Sequence, residues 1–229
     1  MPYLFGGQEI IFRYFWIKQD APRPILRGKT SSSPEALQSA LRIFAICKNT
    51  KVSAMEKDFL HLIETRRSCR SYRPEQIADE QLEAILQAGT YAPSAMGAQS
   101  PYIVAVQNPG QIAQLSAMNA RVMNTSADPY YGAPTLVLVF APREAKNAVQ
   151  DASCVLENMM LAAHALGVGS CWINREREMF ATEEGVALMK QWGLPEGLCG
   201  VGALSLGYPA ADPRRANPAR RTTCGLSAK

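Results

Sequence analysis

The sequence predicts one main domain in which helices cover both faces of a β-sheet. Residues 135–140 form a continuous apolar run, the pattern of a strand that is buried on both faces. Residues 150–166 form a long helix with a broad apolar face, so we expect this helix at the centre of the domain. A chain of 229 residues with 47% hydrophobic content can build one ordinary core of this kind.

The remaining elements follow from hydrophobic periodicity and from turn residues. Phe59, Leu62 and Ile63 have helical spacing, and the helix that they predict runs into the basic turn 65–70. A second helix is predicted to have Asp79 as its cap and to end near Gly89. Further patterns predict strands over 102–107, 170–173 and 199–208, and helices over 109–119 and 182–192.

Residues 1–54 differ in character from the rest of the chain. They contain eight Lys or Arg and three Asp or Glu residues, an aromatic start, a Pro/Arg stretch and one potential helix over 35–47. We interpret them as an extension of unknown role. It is either a real segment that packs on the body or on a second subunit, or the product of an upstream start codon. Residues 55–229 form the predicted functional domain.

Composition and motifs argue against several classes of protein. No run reaches the roughly 18 apolar residues of a membrane span, and no signal-peptide pattern opens the chain, so we expect a cytoplasmic location and no membrane partner. The excess basic charge lies in residues 1–54, which argues against a nucleic-acid partner. The cysteines form no CxxC pair and the two histidines lack metal-ligand spacing, so no metal site is expected.

Motifs for three common enzyme classes are also missing. The sequence has no Gly-x-Gly-x-x-Gly after a strand, no P-loop and no Gly-x-Ser-x-Gly elbow. Nicotinamide-binding Rossmann domains, nucleotidases and serine hydrolases therefore lose support.

Two basic clusters, with a Pro-Ser-Ala loop between them in the chain, carry most of the candidate polar chemistry. The clusters occupy residues 66–70 and 214–221. Guanidinium groups and a serine hydroxyl are good donors for a phosphate, although on composition alone a solvated basic face is the stronger interpretation. The turn-rich segment 127–134 is expected to expose Tyr130 and Tyr131, either as a cover over the core or as a lid that stacks on a substrate.

Five motifs resemble those of the nitroreductase family, in the family's order. Residues 63–72 read IETRRSCRSY and resemble the family's Arg-Arg-Ser-x-Arg-x-Phe/Tyr opening. Residues 92–99 read APSAMGAQ and resemble its Ala-Pro-Ser-x-x-Asn-x-Gln loop, with Gly97 where the family usually has Asn. The other three are YGAP at 131–134, LGVGSCW at 166–172 and LGYP at 206–209. Together the motifs cover residues 55 to about 221.

The resemblance implies an α+β fold, with a mixed central sheet flanked by helices, in an intertwined homodimer that binds FMN at the subunit interface. It implies that Arg66 and Ser68 hold the FMN phosphate and that Arg70 approaches the pyrimidine edge of the flavin. The other cofactor-binding residues that it implies are Pro93, Ser94, Ala95 and Gln99 from the second subunit, Asn119 at the flavin's polar edge, Ile173 and Asn174 through their backbone near N5, and Arg220 and Arg221 at the phosphate.

The resemblance also implies a reaction. NADH or NADPH delivers hydride to the flavin, and a small electron-poor acceptor such as a nitroaromatic or a quinone then takes the electrons, in a ping-pong sequence. Because the cofactor carries the chemistry, no catalytic side chain is expected, and Tyr130 and Tyr131 are the candidate substrate-binding residues. Two alternatives stay open. One is an FMN enzyme of the same fold with another reaction, such as enoate reduction or dehalogenation. The other is a non-catalytic flavin-binding protein.

Overall fold

A computed structural model of the protein describes residues Tyr14–Ile17, Arg23–Pro24 and 59–211. Its strands are β1 (Tyr14–Ile17), β2 (Arg23–Pro24), β3 (Tyr102–Val106), β4 (Thr135–Pro142), β5 (Gly169–Ile173) and β6 (Leu198–Gly207). Its helices are α1 (Phe59–Thr65), α2 (Asp79–Thr90), α3 (Pro109–Met123), α4 (Ala148–Ala165), α5 (Glu176–Met179) and α6 (Glu183–Gln191), and a short 3₁₀ turn spans Ala95–Gly97.

The strands form one mixed sheet, as predicted, in the order β2-β1-β3-β4-β6-β5. The neighbours among β3, β4, β6 and β5 are antiparallel, whereas β1 pairs with β3 in parallel. Because β1 precedes Met55, part of the N-terminal extension adds a strand beside β3. The domain boundary near Met55 and the role of residues 1–54 stay predictions.

The core lies on both faces of β4, which confirms that the sheet is covered on both sides. Leu136 and Leu138 point into one apolar cluster, which contains Trp192 beside α6. Val137 points into the other cluster, which contains Leu156 of the long helix α4. Successive side chains of a strand point to opposite faces, so the continuous apolar run of β4 fills both clusters. The predicted central position of α4 is confirmed.

Some predicted boundaries were wrong for local reasons. Asp79 is the first residue of α2 and not its cap; Ala78 occupies the cap position, and its N–H donates to Gln81 Oε1 at 3.3 Å. The predicted end of α3 at 119 is too early, because the helix continues until Asn124 adopts a left-handed conformation with φ 53°. The four residues of α5 are too few to show a periodicity. The potential helix over 35–47 lies outside the described residues.

Candidate active site

Arg66, Ser68 and Arg70 lie on one face of an extended segment that follows α1. Ser68 forms a parallel bridge with Ser170 of β5, and the Cys69 N–H donates to the Ser170 carbonyl at 2.8 Å. Alternate residues of an extended chain point to the same side. Cys69 is buried, Arg66 and Ser68 are half-buried and Arg70 is exposed; the three polar side chains all lie close enough to the Cys171 thiol to influence its pKa.

The close contact between this segment and β5 depends on Gly169. A Cβ atom at residue 169 would lie 2.9 Å from both Cβ and Sγ of Cys69, closer than packed atoms normally approach. A larger residue would therefore push the segment and its arginines away from the sheet. Cys69 and Cys171 are buried thiols, and burial raises the pKa of Cys171, as expected for packing residues and not for nucleophiles.

Arg66 has a buried donor that suits an anion. Its Nη1 atom is buried, and no described residue accepts a hydrogen bond from it. Buried guanidinium nitrogens normally have partners, because an unpaired one costs free energy. Ser68 lies two residues away on the same face, and Arg70 adds a second positive charge there. The group that fits this donor set best is a phosphate.

Arg70 and Tyr131 lie together at the outer side of this face. The Arg70 Cζ atom is 5.9 Å from the centre of the Tyr131 ring, which is 40% exposed. Tyr131 has a φ of 60°, a conformation that residues other than glycine rarely adopt. Asp128 stabilises it by accepting hydrogen bonds from the N–H groups of Tyr130 at 2.9 Å and Gly132 at 2.6 Å. The structure thus exposes Tyr131, as predicted.

The prediction that Tyr130 is exposed was wrong, because its side chain is fully buried in the core. Its hydroxyl donates to Glu176 Oε1 at 3.2 Å and accepts from Asn119 Nδ2 at 3.2 Å. A ring enclosed in this way has no face on which a substrate could stack. The left-handed conformation of Tyr131 sends the two neighbouring side chains in different directions.

Asn119 is also fully buried, and it anchors the end of β5. Its Nδ2 donates to the Tyr130 hydroxyl and to the Asn174 carbonyl at 3.1 Å, and its Oδ1 accepts from Arg175 Nε at 2.7 Å. Both amide hydrogens are therefore used, so the expected hydrogen bond from Asn119 to a flavin has no support in this geometry. Ile173 is buried and Asn174 is exposed at the end of β5, beside this anchor.

The loop that carries Pro93, Ser94, Ala95 and Gln99 lies at the N-terminal end of α4, whereas Arg66 lies near the C-terminal end of that helix. The Ala95 N–H donates to Asp151 Oδ1 at 2.9 Å, in the first turn of α4. Near Arg66, the Thr65 hydroxyl lies 3.0 Å from His164 Nε2, in the last turn of the same helix. From residue 151 to residue 164 a helix rises about 20 Å. A single chain therefore keeps the loop and the arginines apart.

The loop itself has an unusual backbone. Met96, Gly97 and Gln99 have φ values of 56°, 65° and 44°, and the Ser94 hydroxyl accepts a hydrogen bond from the Gln99 N–H at 2.8 Å. Glycine and asparagine tolerate this left-handed region best. The backbone therefore suits Gly97 as well as the asparagine usual at this place in the loop. Met96 is fully exposed.

Sequence reasoning missed three acidic residues that shape these regions: Asp128, Asp151 and Glu176. Asp128 could have been found, because an Asp-Pro pair in a turn-rich segment often caps the backbone that follows. Asp151 and Glu176 could not, because their partners Ala95 and Tyr130 are distant in the chain. The partner of His164 is also distant in the chain, since its Nε2 lies 3.0 Å from the hydroxyl of Thr65 on α1.

Three further expectations concern features beyond this face. Arg220 and Arg221, expected at the phosphate, lie outside the described residues. Within the parts of the chain that the structure describes, no group of three or more His, Cys, Asp or Glu side chains is arranged to hold a metal ion. None of the helices in those parts has the length and apolar character needed to cross a membrane.

Known proteins resemble this chain in sequence and in structure. A protein of Archaeoglobus fulgidus, named as a candidate NADH dehydrogenase/NAD(P)H nitroreductase, is 34% identical over 161 residues, which cover 67% of this chain and 86% of that protein. The crystal structure of a nitroreductase with bound FMN from Bacteroides fragilis has 32% identity and a TM-score of 0.69, over 75% of this chain and 99% of the other.

A second structure and a family profile agree with these relatives. A nitroreductase with bound FMN from Desulfitobacterium hafniense has 26% identity and a TM-score of 0.64, over 73% of this chain and 97% of the other. Residues 63–208 match the profile of the Nitroreductase family, and this match spans the arginine segment, the exposed loop and strands β3 to β6. The chain belongs to the nitroreductase family.

Proposed function

We propose that this protein is an FMN-dependent oxidoreductase that passes electrons from NADH or NADPH to a small electron-poor acceptor, such as a nitroaromatic or a quinone. The observation that carries the proposal is the buried Nη1 of Arg66, which has no hydrogen-bond partner among the described residues and lies in the segment whose Ser68 and Arg70 also act on the Cys171 thiol. The FMN in two related structures agrees with it. We expect the enzyme in the cytoplasm.

Each side chain of this face has a separate task in the proposal. Arg66 and Ser68 bind the phosphate, and Arg70 places a positive charge at the pyrimidine edge, where it stabilises negative charge. FMN, when bound, supplies the two-electron chemistry. The donor leaves before the acceptor enters, and both use the same open face beside Tyr131. The chain's residues bind and orient, so none of them acts as a catalytic acid, base or nucleophile.

We further propose that the active unit is a homodimer in which Pro93, Ser94, Ala95 and Gln99 complete the site of the other chain. The separation of about 20 Å along α4 supports this, since one chain cannot bring the loop to its own arginines. Large apolar side chains are also exposed beside both regions: Phe59 and Ile63 on α1, and Tyr91 and Met96 near the loop. A second chain would cover this apolar surface.

The first test of the function is an absorption spectrum of the purified protein with identification of any released chromophore. A flavin oxidoreductase shows a band near ~450 nm that bleaches when NADH or NADPH is added. A colourless protein that cannot be reconstituted with FMN would contradict the proposal. Bound FMN that neither nicotinamide reduces would instead favour a non-catalytic flavin-binding protein, and product analysis would separate nitroreduction from another FMN reaction.

A shared site predicts that flavin occupancy depends on dimerisation. When the protein is diluted until the dimer dissociates, FMN should be released in proportion to the loss of dimer, because each phosphate face then lacks the second chain's loop. Sedimentation velocity that follows protein and flavin absorbance together measures both fractions. FMN that sediments with the monomer would contradict the two-chain site.

Tyr131 is the exposed aromatic residue that we expect to contact the acceptor. Tyr131→Ala should raise the KM for a nitroaromatic or quinone acceptor by about 2- to 10-fold, because the stacking surface is lost, while FMN stays bound. Tyr131→Phe keeps the ring and is the matched control, for which KM should stay near the wild-type value. Steady-state kinetics at saturating NADH measures the effect, and equal KM values for the two variants would exclude stacking by this ring.

A further inference from the structure

A buried carboxyl group lies behind the end of β5. Glu176, the first residue of α5, is fully buried. It packs so closely against β6 that a Cβ atom at Gly200 would lie 2.5 Å from the Glu176 carbonyl oxygen. Glutamates are almost never fully buried unless they are paired, because burial penalises the charge. The hydrogen-bond partners of Glu176 and the charges near it therefore decide whether its carboxyl group is ionised.

Glu176 is one end of a chain of hydrogen bonds that reaches the turn after β5. Its Oε1 accepts from the Tyr130 hydroxyl at 3.2 Å, and that hydroxyl accepts from Asn119 Nδ2 at 3.2 Å. The same nitrogen donates to the Asn174 carbonyl at 3.1 Å, and Asn119 Oδ1 accepts from Arg175 Nε at 2.7 Å. The other carboxyl oxygen, Oε2, is buried and has no partner among the described residues.

The surroundings of Glu176 favour its neutral form. Burial raises its pKa to about 8 from an ordinary value of 4.5. Among the described residues, no cation lies within ion-pair distance of its carboxyl group. The titratable groups that act on it are Tyr130, Arg175 and Glu178. Gly200 of β6, which packs against it, carries no charge, and neither does Asn119 of α3, which reaches it through the Tyr130 hydroxyl.

We propose that Glu176 is a proton-carrying positioning residue: in its neutral form it leaves Arg175 bonded to Asn119, and so it holds the turn at residues 174–175 in place. An ionised Glu176 would compete for the guanidinium of Arg175, the residue that precedes it. Without the hydrogen bond from Arg175, the Asn119 carboxamide would be held less firmly, and so would the Asn174 carbonyl that it anchors. The inference rests on the proposed function, because that turn is expected to lie beside the flavin.

The first test is the pH dependence of stability, in urea unfolding of the full-length protein at a fixed FMN concentration. In wild type, Glu176 should lower the folding equilibrium constant by up to about tenfold for each pH unit between about pH 4.5 and 8. In that window the folded state keeps a proton that the unfolded state has released, so stability falls as the pH rises. Glu176→Gln is neutral with the same shape, and it should lack this loss and exceed wild type in stability above about pH 8.

The second test is the FMN dissociation constant between pH 7 and pH 10, which reports on positioning. Wild type should bind FMN more weakly above the pKa of Glu176, by up to about tenfold for each pH unit, whereas Glu176→Gln should lack this change. Glu157→Gln makes the same substitution at an exposed position of α4, is not among the groups that act on Glu176, and should behave like wild type in both tests. Tyr130→Phe removes the donor to Glu176 and should extend the stability loss to higher pH.

The outcomes separate this inference from the proposed function. Parallel stability profiles in wild type and Glu176→Gln would overturn the proton on Glu176. Different stability profiles with parallel FMN profiles would overturn its positioning role. If wild type binds no FMN at any pH, the proposed function fails, and the stability profiles still decide whether Glu176 holds a proton.

Discussion

Arg66→Ala should weaken the binding of FMN by about 10- to 100-fold, because the phosphate would lose charge-assisted hydrogen bonds from a buried guanidinium group. Arg66 is well suited to this role, since its Nη1 is buried with no described acceptor. In the free protein the substitution removes an unsatisfied donor, so the fold should tolerate it. The loss should therefore appear in flavin affinity and not in the stability of the flavin-free protein.

Titration of FMN into flavin-free protein, followed by quenching of flavin fluorescence, measures the effect of Arg66→Ala. Arg67→Ala is the matched control, because Arg67 is the next residue and its Nη1 already donates to the Arg66 carbonyl. We expect the control to change the dissociation constant by less than about threefold. Arg66→Lys should give an intermediate loss, since a lysine keeps the charge without the fork of donors. Equal affinities for Arg66→Ala and wild type would remove Arg66 from the phosphate site.

Trp192→Ala should lower the free energy of unfolding by about 3–5 kcal/mol, the usual cost of removing a large buried aromatic side chain. The Trp192 ring is buried with its centre 5.8 Å from that of Phe180 and 6.3 Å from that of Phe140. Its Nε1 also donates to Gln111 Oε1 at 3.3 Å, so the substitution leaves an acceptor unpaired in addition to a cavity.

Urea unfolding followed by circular dichroism, at one protein concentration for all variants, measures the effect of Trp192→Ala. The control is Val186→Ala on α6, because the Val186 side chain is about half exposed and buries less surface against the core than Trp192 does. We expect the control to cost less than about 1 kcal/mol. If both variants lose the same free energy, the aromatic cluster does not support the sheet as described. Phe180 directly follows α5, so a loosened cluster should also disturb the turn that Asn119 anchors.

The polar run after α1 was predictable, but its conformation was not, because the run 65–70 was expected to form a turn and the structure shows an extended segment there. Residues 66, 68 and 70 alternate along an extended segment, so their common side follows from the backbone period. Most helices and strands of residues 59–211 were predictable, although not the four-residue α5, since apolar spacing reports which side of an element meets the core. The conformation of the Pro93–Gln99 loop was less accessible, because three residues with positive φ leave only a weak signal in the sequence.

The roles of Tyr130, Asn119 and Glu176 depended on contacts between distant parts of the chain. Tyr130 and Tyr131 are equivalent in a sequence pattern, yet one is fully buried and the other is 40% exposed. Their difference follows from the left-handed backbone at Tyr131 and from hydrogen bonds between Tyr130 and residues in α3 and α5. No spacing rule links residues 119, 130 and 176.

The sequence by itself determined most elements of the fold and the buried central strand. These features depend on period and local propensity, which neighbouring residues specify. Tertiary structure alone decided which tyrosine is buried, that Asn119 anchors β5, and that Glu176 lies behind the turn with no ion-pair partner among the described residues. It also decided that one chain keeps its loop about 20 Å along α4 from its arginines. Burial and hydrogen-bond partners are set by packing between distant segments, and a linear sequence does not record those distances.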